Sequence, residues 1–464
     1  MDAKIMVALQ EIVGDTYVYT DRERLTVYGK DETEDLVFLP HVAVRPGSVD
    51  EVSAVLSLCN AQGIPVTPRG AGTGLSGGAL PVMGGVVMAM DRLNHILEID
   101  EANYQATVEP GVINQVFQEA VAAKGLYYPP DPASKGSCFL GGNMAESSGG
   151  PHAVKYGITR DYVLNLEVVL PTGEVIWTGA NVLKNSTGYN LTQLMIGSEG
   201  TLGVITKIRL KLIPHPTRTL LMFVPFVSAE KACAAVAAVF QAGITPSALE
   251  FMERDALLCA RSYDDNITID PGEAEAYLLI EVDGFEEEVL IRDCERISEV
   301  LEGFDAGEVL FAESEAQKET LWYMRRKVAE AVKHVSVYKE EDTVVPRAAL
   351  PKLLNGVKEI GKKYGFRSVC YGHAGDGNLH VNILKDNMSD EAWNVDLPKG
   401  IREIFRLTVE LGGTLSGEHG IGWVQKSYMD IAFGKTQLEI MKGIKRVFDP
   451  KGILNPGKIF PDDE

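Results

Sequence analysis

The glycine-rich segment from Pro68 to Pro81 is the feature that most constrains the fold. Its residues 72–77 satisfy the pattern G-x-G-x-x-G. A dinucleotide site of that type needs a helix that begins at the last glycine, but here a strand-like run follows at 84–90. We therefore exclude a doubly wound nicotinamide site. The prolines at 65 and 68 predict a strand that lies at a sheet edge or leaves its sheet, not the central first strand of a doubly wound fold. The segment is then either a plain surface loop or a loop whose N–H groups bind an anion beside Arg69.

Two further glycine-rich clusters follow, at 129–157 and 196–214. The first is too long for an ordinary connection, and long segments without regular structure tend to be binding loops. A mobile surface loop is the alternative. Three such segments within about 150 residues favour one shared ligand.

The net charge of −21 over 464 residues limits the partners of the chain. Nucleic acid and anionic membranes both require a positive protein face, so we expect neither as a direct partner. An anionic substrate would need positive charge concentrated locally, from arginine or from a metal.

The cysteines and the N-terminus predict a cytoplasmic protein. Six cysteines stand apart, with no C-x-x-C pair and no iron–sulfur motif. Residues 1–14 predict an amphipathic helix without the features of a signal peptide. No apolar run approaches 18 residues, so no membrane span is expected. Attachment to the membrane through a partner stays open.

The order of predicted elements indicates an α+β fold of more than one domain. Ser48 and Glu51 predict a capping box for a helix that ends at Gly63. Strand and helix signals follow at 104–112 and 114–125. After residues 214–218 the pattern changes to strands and long amphipathic helices, so a domain boundary is placed there.

The segment YGHAGDGNLHVN, residues 371–382, holds the sharpest candidate site. His373 lies at the end of a predicted strand, and His380 and Asn382 point the same way from the next one. Glu418 and His419 stand together in the later glycine loop SGEHGIG. Two imidazoles and one carboxylate form a ligand set for a divalent metal with open positions. The alternative is that these histidines are hydrogen-bonded, partly buried residues.

Two adjacent arginines lie on the helix predicted at 321–332. Because neighbouring residues occupy different helix faces, one of Arg325 and Arg326 is expected to reach a buried carboxylate. A solvated basic stripe is the alternative.

Eight motifs in order carry a resemblance to a known family. The motifs are PRGAGTGLSGGA, PPDPAS, GGNMAESSGG, KYG, GSEGTLGVIT, GHAGDGNLHVN, GEHGIG and FDPKGILNPGKIF. With them the chain resembles the FAD-linked D-2-hydroxyacid dehydrogenases of the vanillyl-alcohol-oxidase superfamily, which include glycolate oxidase large subunits, D-lactate dehydrogenases and D-2-hydroxyglutarate dehydrogenases.

The resemblance implies the domain plan. An FAD-binding domain of two α+β subdomains is expected at 1–215, and a ferredoxin-like substrate domain at 216–425. A last segment, 426–464, is expected to return to the FAD domain.

The resemblance also implies the cofactor site, with the anion of the first loop being the FAD pyrophosphate. The backbone of that loop is expected to hold it, through Pro68, Arg69, Gly70, Ala71, Gly72, Thr73, Gly74, Leu75 and Gly77. Further matching positions are Pro130, Asp131, Ser134, Gly141, Gly142, Asn143, Ser147, Gly149, Gly150, Gly157, Glu199, Gly200, Ile205 and Asn455. No histidine stands in or beside the loop, so the FAD is expected to be non-covalent.

In the family, His373, His380 and Glu418 match the site of a divalent metal, here zinc, iron or manganese. Asn382 and Arg325 match substrate contacts, and His419 matches the catalytic base. Lys339 resembles the lysine that the hydroxyglutarate branch uses for a distal carboxylate. The threonine of that branch is absent, because its position holds Ala329, so the identity of the substrate stays open.

The resemblance therefore implies an enzyme that oxidises a small D-2-hydroxyacid, D-lactate or glycolate, with FAD and a divalent metal. The alternatives are a D-2-hydroxyglutarate dehydrogenase, a non-catalytic flavin subunit that relays electrons, and a reductase that uses NADPH. The expected electron acceptor is a protein, either an electron-transfer flavoprotein or an iron–sulfur subunit. A homodimer is left open.

Overall fold

The computed structural model describes residues 1–34 and 36–462, which form two compact units. Unit 1 comprises Met1–Gly149, Ile158–His215 and Glu418–Glu464, and unit 2 comprises Gly150–Gly157 and Pro216–Gly417. Helices and strands alternate in both units, which confirms the predicted α+β class.

Unit 1 contains two main sheets. The first has the strand order β1-β2-β4-β3, in which β4 runs parallel to β2 and β3, and the second is antiparallel with the order β5-β6-β10-β8-β9; β7 and β11 pair separately. The strands are β1 Val18–Tyr19, β2 Val42–Val44, β3 Val66–Arg69, β4 Val86–Ala89, β5 Ile96–Asp100, β6 Gln105–Val108, β7 Leu126–Tyr127, β8 Val163–Val169, β9 Val175–Trp177, β10 Val204–Lys211 and β11 Ile213–Pro214. The glycine-rich loop thus connects β3, at the sheet edge as predicted, to β4.

Helices pack against these sheets. Buried side chains of the helix Val49–Gln62 join those of β2, β3 and β4 in one hydrophobic core. The helices of unit 1 are Ala3–Val13, Arg22–Tyr28, Val49–Gln62, Asn114–Ala122, Leu140–Glu146, Leu191–Met195, Met429–Ala432 and Lys435–Phe448. None of the helices that the structure describes is both long enough and apolar enough to cross a bilayer.

The ends of the helix Val49–Gln62 follow the sequence closely. Ser48 accepts a hydrogen bond from the Glu51 N–H at 3.2 Å, and Gly63 ends the helix with φ +63°. The Glu51 carboxylate accepts from the N–H of Gly47 instead of Ser48. The predicted cap therefore forms, but its reciprocal half is shifted by one residue.

The segment 129–157 differs from the prediction of a long stretch without regular structure. It contains two short helices, Leu140–Glu146 and Ala153–Tyr156. Leu140 and Met144 are buried, and this burial offsets the low helix propensity of the adjacent glycines 141 and 142.

Unit 2 is built on a seven-stranded antiparallel sheet with the order β15-β12-β14-β13-β17-β18-β16. The strands are β12 Arg218–Phe226, β13 Ala248–Glu253, β14 Ala276–Gly284, β15 Leu310–Phe311, β16 Tyr338–Val344, β17 Arg367–Gly372 and β18 Asn378–Leu384. Its helices are Ala153–Tyr156, Ala229–Gln241, Arg254–Tyr263, Glu287–Glu302, Glu315–Val335, Leu350–Tyr364 and Leu397–Glu410, with a π-helical turn at Ala392–Asp396.

The register of this sheet defines the face that matters for function. Tyr371 lies opposite His380, and Val369 lies opposite Asn382. Directly opposed residues point to the same side of a sheet, so these four share one side, which we call the histidine face. Buried residues of the helices Arg254–Tyr263 and Glu315–Val335 share a core with strand residues of this face, including Met252, Leu279, Val369 and Tyr371.

The turn between β17 and β18 depends on Gly377. Its φ is +81°, and a Cβ there would lie 1.9 Å from the carbonyl oxygen of Val345. Gly365 is a matched case, because its φ is +75° but its Cβ would meet nothing within 4 Å. Of these two glycines, Gly377 has both a left-handed backbone and a backbone overlap, whereas Gly365 has the left-handed backbone alone. Comparing them therefore separates the cost of the overlap from the cost of the backbone strain.

We expect Gly377→Ala to lower the free energy of unfolding by more than about 3 kcal/mol, since backbone atoms must move. Gly365→Ala should cost only about 1 kcal/mol, the strain of the left-handed region. Urea titration of both variants, followed by circular dichroism, measures the difference. If both substitutions lower the free energy of unfolding equally, the backbone around Gly377 accommodates the added Cβ without further loss of stability.

Candidate functional site

A cavity in unit 1 is lined by all three glycine-rich segments of the sequence. Its wall begins at the end of β3 and follows the loop to Ala79. The helix Leu140–Glu146, the turn before β10, and the pair Glu418 and His419 complete it. The three segments therefore share one cavity, as the sequence suggested.

The first loop presents backbone rather than side chains to this cavity. A Cβ on Gly74 or Gly142 would meet nothing within 4 Å, so both residues leave room beside the chain. A Cβ on Gly72, whose φ is +76°, would lie 2.1 Å from Nη2 of Arg69. Arg69 is buried, and its Nη1 has no hydrogen-bond partner among the described residues. A buried guanidinium beside bare backbone suits an anionic ligand.

Fifteen predicted cofactor residues lie in the cavity wall: Pro68, Arg69, Gly70, Ala71, Gly72, Thr73, Gly74, Leu75, Ser134, Gly141, Gly142, Asn143, Glu199, Gly200 and Ile205. The other predicted residues of unit 1 lie outside it: Gly77, Pro130, Asp131, Ser147, Gly149 and Asn455. Gly150 and Gly157 belong to unit 2.

Two of these other residues, Asn455 and Gly149, make hydrogen bonds to residues of the cavity wall or next to it. Asn455 donates its side-chain amide to the carbonyls of Gly78 (2.9 Å) and Glu199 (2.8 Å). The Gly149 N–H donates to Glu418 at 3.2 Å. These bonds join residues more than 250 positions apart, so they position the lining without belonging to it.

Residues of the wall that the sequence did not single out are mostly small or apolar: Gly78, Ala79, Met90, Pro110, Pro132, Ala133, Phe139, Ala145, Glu146, Ser148, Met195, Ser198, Gly203 and Val204. Half of them directly adjoin predicted positions, and for these the signal was the motif itself, extended by one residue.

Glu146 is an acidic residue in the cavity wall. Burial, and then the neighbouring carboxylates Glu199 and Asp31, raise its pKa well above the ordinary 4.5. Glu199 accepts the N–H groups of Ile421 and Gly422, at 2.8 and 2.6 Å, whereas Oε2 of Glu146 has no hydrogen-bond partner in the part of the chain that the structure describes. The fold thus favours the protonated form of Glu146.

In unit 2, His373 and His380 come together across the turn after β17, as predicted. Their ring centroids lie 5.4 Å apart. Nδ1 of His373 lies 2.9 Å from both carboxylate oxygens of Glu250, a fully buried residue of β13. A carboxylate on Nδ1 orients the ring and makes Nε2 the nitrogen that would coordinate a metal.

Glu250 also binds Arg325. Nη2 of Arg325 lies 2.6 Å from Oε2 of Glu250, so the expected arginine–carboxylate contact is present. Burial alone would raise the pKa of Glu250, but His373 and Arg325 outweigh it, and the pKa is lowered. Arg326, on another side of the helix, pairs with Glu319.

The histidine face carries buried polar atoms that make no hydrogen bond within the described residues. They are both amide atoms of Asn382, the hydroxyl of Tyr371, Nε of Arg325 and Oε2 of Glu340. Asn382 is 0% exposed and Tyr371 2%. Buried polar groups are nearly always hydrogen-bonded, so this cluster indicates a place where a polar ligand binds.

Lys339 does not lie on the histidine face. It opposes Ile383, whereas its neighbour Glu340 opposes Asn382. Side chains alternate along a strand, so Lys339 points to the other side of the sheet and Glu340 to the side of His380. The structure thus does not bring Lys339 to Arg325 and Asn382, the predicted substrate contacts with which it was grouped.

Comparison with known proteins gives two family matches. The profile described as "FAD linked oxidases, C-terminal domain" matches residues 215–459, and that described as "FAD binding domain" matches residues 40–179.

Three relatives align over nearly the whole chain. Glycolate oxidase subunit GlcD of Bacillus subtilis is 40% identical, over 94% of this chain and 92% of its own. D-lactate dehydrogenase of Anaerostipes hadrus is 40% identical, over 94% and 91%. D-2-hydroxyglutarate dehydrogenase of Stutzerimonas stutzeri is 34% identical, over 99% of both chains.

Among solved structures, p-cresol methylhydroxylase has a TM-score of 0.81 at 19% identity and covers 99% of this chain and 96% of its own. The 4-ethylphenol oxidase of Gulosibacter chungangensis has a TM-score of 0.78 at 20% identity, over 99% and 97%. At these identities the likeness concerns the fold, and it agrees with the predicted vanillyl-alcohol-oxidase type.

The raised pKa of Glu146 makes stability depend on pH. Above the ordinary value of 4.5 the folded state holds a proton that the unfolded state has lost, so stability falls as pH rises. Glu146→Gln keeps the shape without the titration, and we expect a flatter decline. Thermal unfolding from pH 4.5 to 8 measures it. The exposed Glu174→Gln should keep the wild-type slope, and a wild-type slope in Glu146→Gln would contradict the assignment.

Proposed function

Because the chain belongs to the FAD-linked oxidases, we propose that it oxidises a small D-2-hydroxyacid, D-lactate or glycolate, to the 2-oxoacid. The observation that carries the proposal is the histidine face. It combines two adjacent imidazoles with buried Arg325 and Asn382. Nε of Arg325 and both amide atoms of Asn382 make no hydrogen bond among the described residues. A hydroxyacid offers the carboxylate and hydroxyl that such groups bind.

We assign FAD to the glycine-lined cavity of unit 1. The fit rests on buried Arg69 with its unpartnered Nη1, and on the open space beside Gly74 and Gly142. Backbone N–H groups of the loop 68–77 would hold the pyrophosphate. When bound, the flavin ring accepts the hydride that leaves the substrate Cα. No histidine lies in that loop, so the cofactor is held non-covalently.

We assign a divalent metal to His373 and His380, with Glu418 as the third ligand on the strength of the family resemblance. The contact between His373 and Glu250 supports this, because metal-binding histidines commonly carry a carboxylate on the second nitrogen. Nitrogen and oxygen ligands of this kind suit zinc, iron or manganese. A metal held there would polarise a hydroxyl group and ease the loss of its proton.

The remaining steps fall to the side chains of the protein. Arg325 binds the substrate carboxylate, and the amide of Asn382 orients the substrate by hydrogen bonds. His419, which lies in the cavity wall with Glu418, removes the hydroxyl proton onto a ring nitrogen. Loss of this proton favours hydride departure from Cα, because the electrons left on oxygen form the new carbonyl.

The electrons are proposed to pass to another protein. Two similar chains are named as glycolate oxidase subunits, and the acceptor is either an iron–sulfur subunit or an electron-transfer flavoprotein. The net charge of −21 favours a basic docking face on that partner.

Anaerobic flavin reduction tests the substrate class. We expect D-lactate and glycolate to bleach the flavin absorbance of the purified protein, with D-lactate the fastest. L-lactate should react at least about a hundredfold more slowly, because a chiral site that holds the carboxylate and hydroxyl directs the Cα–H bond of only one isomer to the flavin. Stopped-flow absorbance with each acid gives the rates. A preference for the L-isomer would contradict the proposal.

Metal removal tests whether a metal bound by His373 and His380 is needed for activity. Chelation, or His380→Ala, should lower the rate of flavin reduction by D-lactate at least about a hundredfold, because hydroxyl activation is lost, while bound FAD stays unchanged by absorbance. Re-addition of zinc, iron or manganese should restore the chelated wild type but not the variant. Full activity in protein shown to be metal-free by elemental analysis would leave the histidines a structural role.

A further inference from the structure

The inference concerns Glu340, which the sheet register places on the histidine face. Its backbone opposes that of Asn382, and Oε1 lies 3.5 Å from Nδ1 of His380. The side chain is only 7% exposed, and Oε2 makes no hydrogen bond among the described residues. A buried carboxylate therefore stands directly beside the proposed substrate contacts.

The charges around Glu340 are predominantly negative. Asp342, two residues along β16, shares this face and lies 3.8 Å from Nδ1 of His380. Arg325 is already paired with the carboxylate of Glu250. The Arg325 guanidinium lies 5.2 Å from the ring centre of Tyr371. The Tyr371 ring in turn packs against the ring of His380. The Tyr371 hydroxyl is a hydrogen-bond donor that is buried and makes no hydrogen bond among the described residues.

We propose that Glu340 restricts the substrate to 2-hydroxyacids with one carboxylate, by excluding a second negative charge from the histidine face. The inference rests on the proposed function and narrows its substrate class. Arg325, Tyr371 and Asn382 offer donors for a single carboxylate. A distal carboxylate would meet Glu340 in a buried setting, where like charges are strongly unfavourable. Lys339, the residue that could have paired with it, points to the other side of the sheet.

The test compares D-lactate with D-2-hydroxyglutarate in anaerobic flavin reduction by the FAD-loaded protein. Glu340→Gln keeps the shape and removes the charge, so we expect the dicarboxylate to gain about tenfold or more relative to D-lactate, the size of one partly screened charge contact. Glu340→Asp keeps the charge and should keep the wild-type ratio. Lys339→Gln should leave the ratio within about twofold, since its side chain lies on the other face.

A second measurement uses the wild type alone and does not depend on a variant that folds. Perturbation of the flavin spectrum by the products gives their dissociation constants, and we expect pyruvate to bind at least about tenfold more tightly than 2-oxoglutarate. The opposite order would overturn the proposal.

The outcomes separate this inference from the proposed function. If D-lactate reduces the flavin but Glu340→Gln leaves the ratio unchanged, or Lys339→Gln selectively impairs the dicarboxylate, the role of Glu340 is wrong while the function stands. Loss of metal from Glu340→Gln, measured by elemental analysis, would make Glu340 a residue of the metal site and also overturn the inference. If neither acid reduces the wild-type flavin, the proposed function fails, and this inference with it.

Discussion

The arrangement of the candidate site in unit 2 depends on the contacts of the Glu250 carboxylate. It lies fully buried on β13, binds Nδ1 of His373 at 2.9 Å, and binds Nη2 of Arg325 at 2.6 Å. A buried carboxylate is stable only when it is paired, and removing one partner of such a pair typically costs about 3–5 kcal/mol. The same contact therefore fixes the proposed metal ligand and the proposed substrate arginine, which come from a turn and a helix 48 residues apart in sequence.

In unit 1 the proposed ligand site is formed mainly by backbone groups. Its cavity is lined by glycines, which bring N–H groups close to a ligand but contribute no side chain to fix the loop. Another part of the cavity wall is fixed from the segment after residue 418, where Asn455 and the N–H groups of Ile421 and Gly422 bind Glu199. This explains why a chain that leaves unit 1 at residue 215 returns to it at 418.

Features set by local interactions were predictable from the sequence, and those set by strand pairing were not. The cap at Ser48, the edge position of β3 and the approach of His373 to His380 follow from neighbouring residues. Glu250 lies in no motif, and Tyr371 was assigned no role although it begins the segment 371–382, since their partners come from other strands and from a helix. The choice between Lys339 and Glu340 shows the limit most clearly: a shift of one residue moves a side chain to the opposite face of a sheet, and only the pairing of β16 with β18 decides it.

The negative net charge of the protein makes its buried arginines, Arg69 and Arg325, important for the binding of anions. A chain with net charge −21 repels small anions over most of its surface, so a ligand that carries phosphate or carboxylate binds only where the local field is reversed. Arg69 provides positive charge in unit 1. In unit 2 the charge of Arg325 is offset by Glu250, so the proposed metal would have to supply positive charge for a substrate carboxylate. Because Arg325 is shared in this way and Glu340 adds negative charge beside it, we propose that the histidine face accepts no second carboxylate.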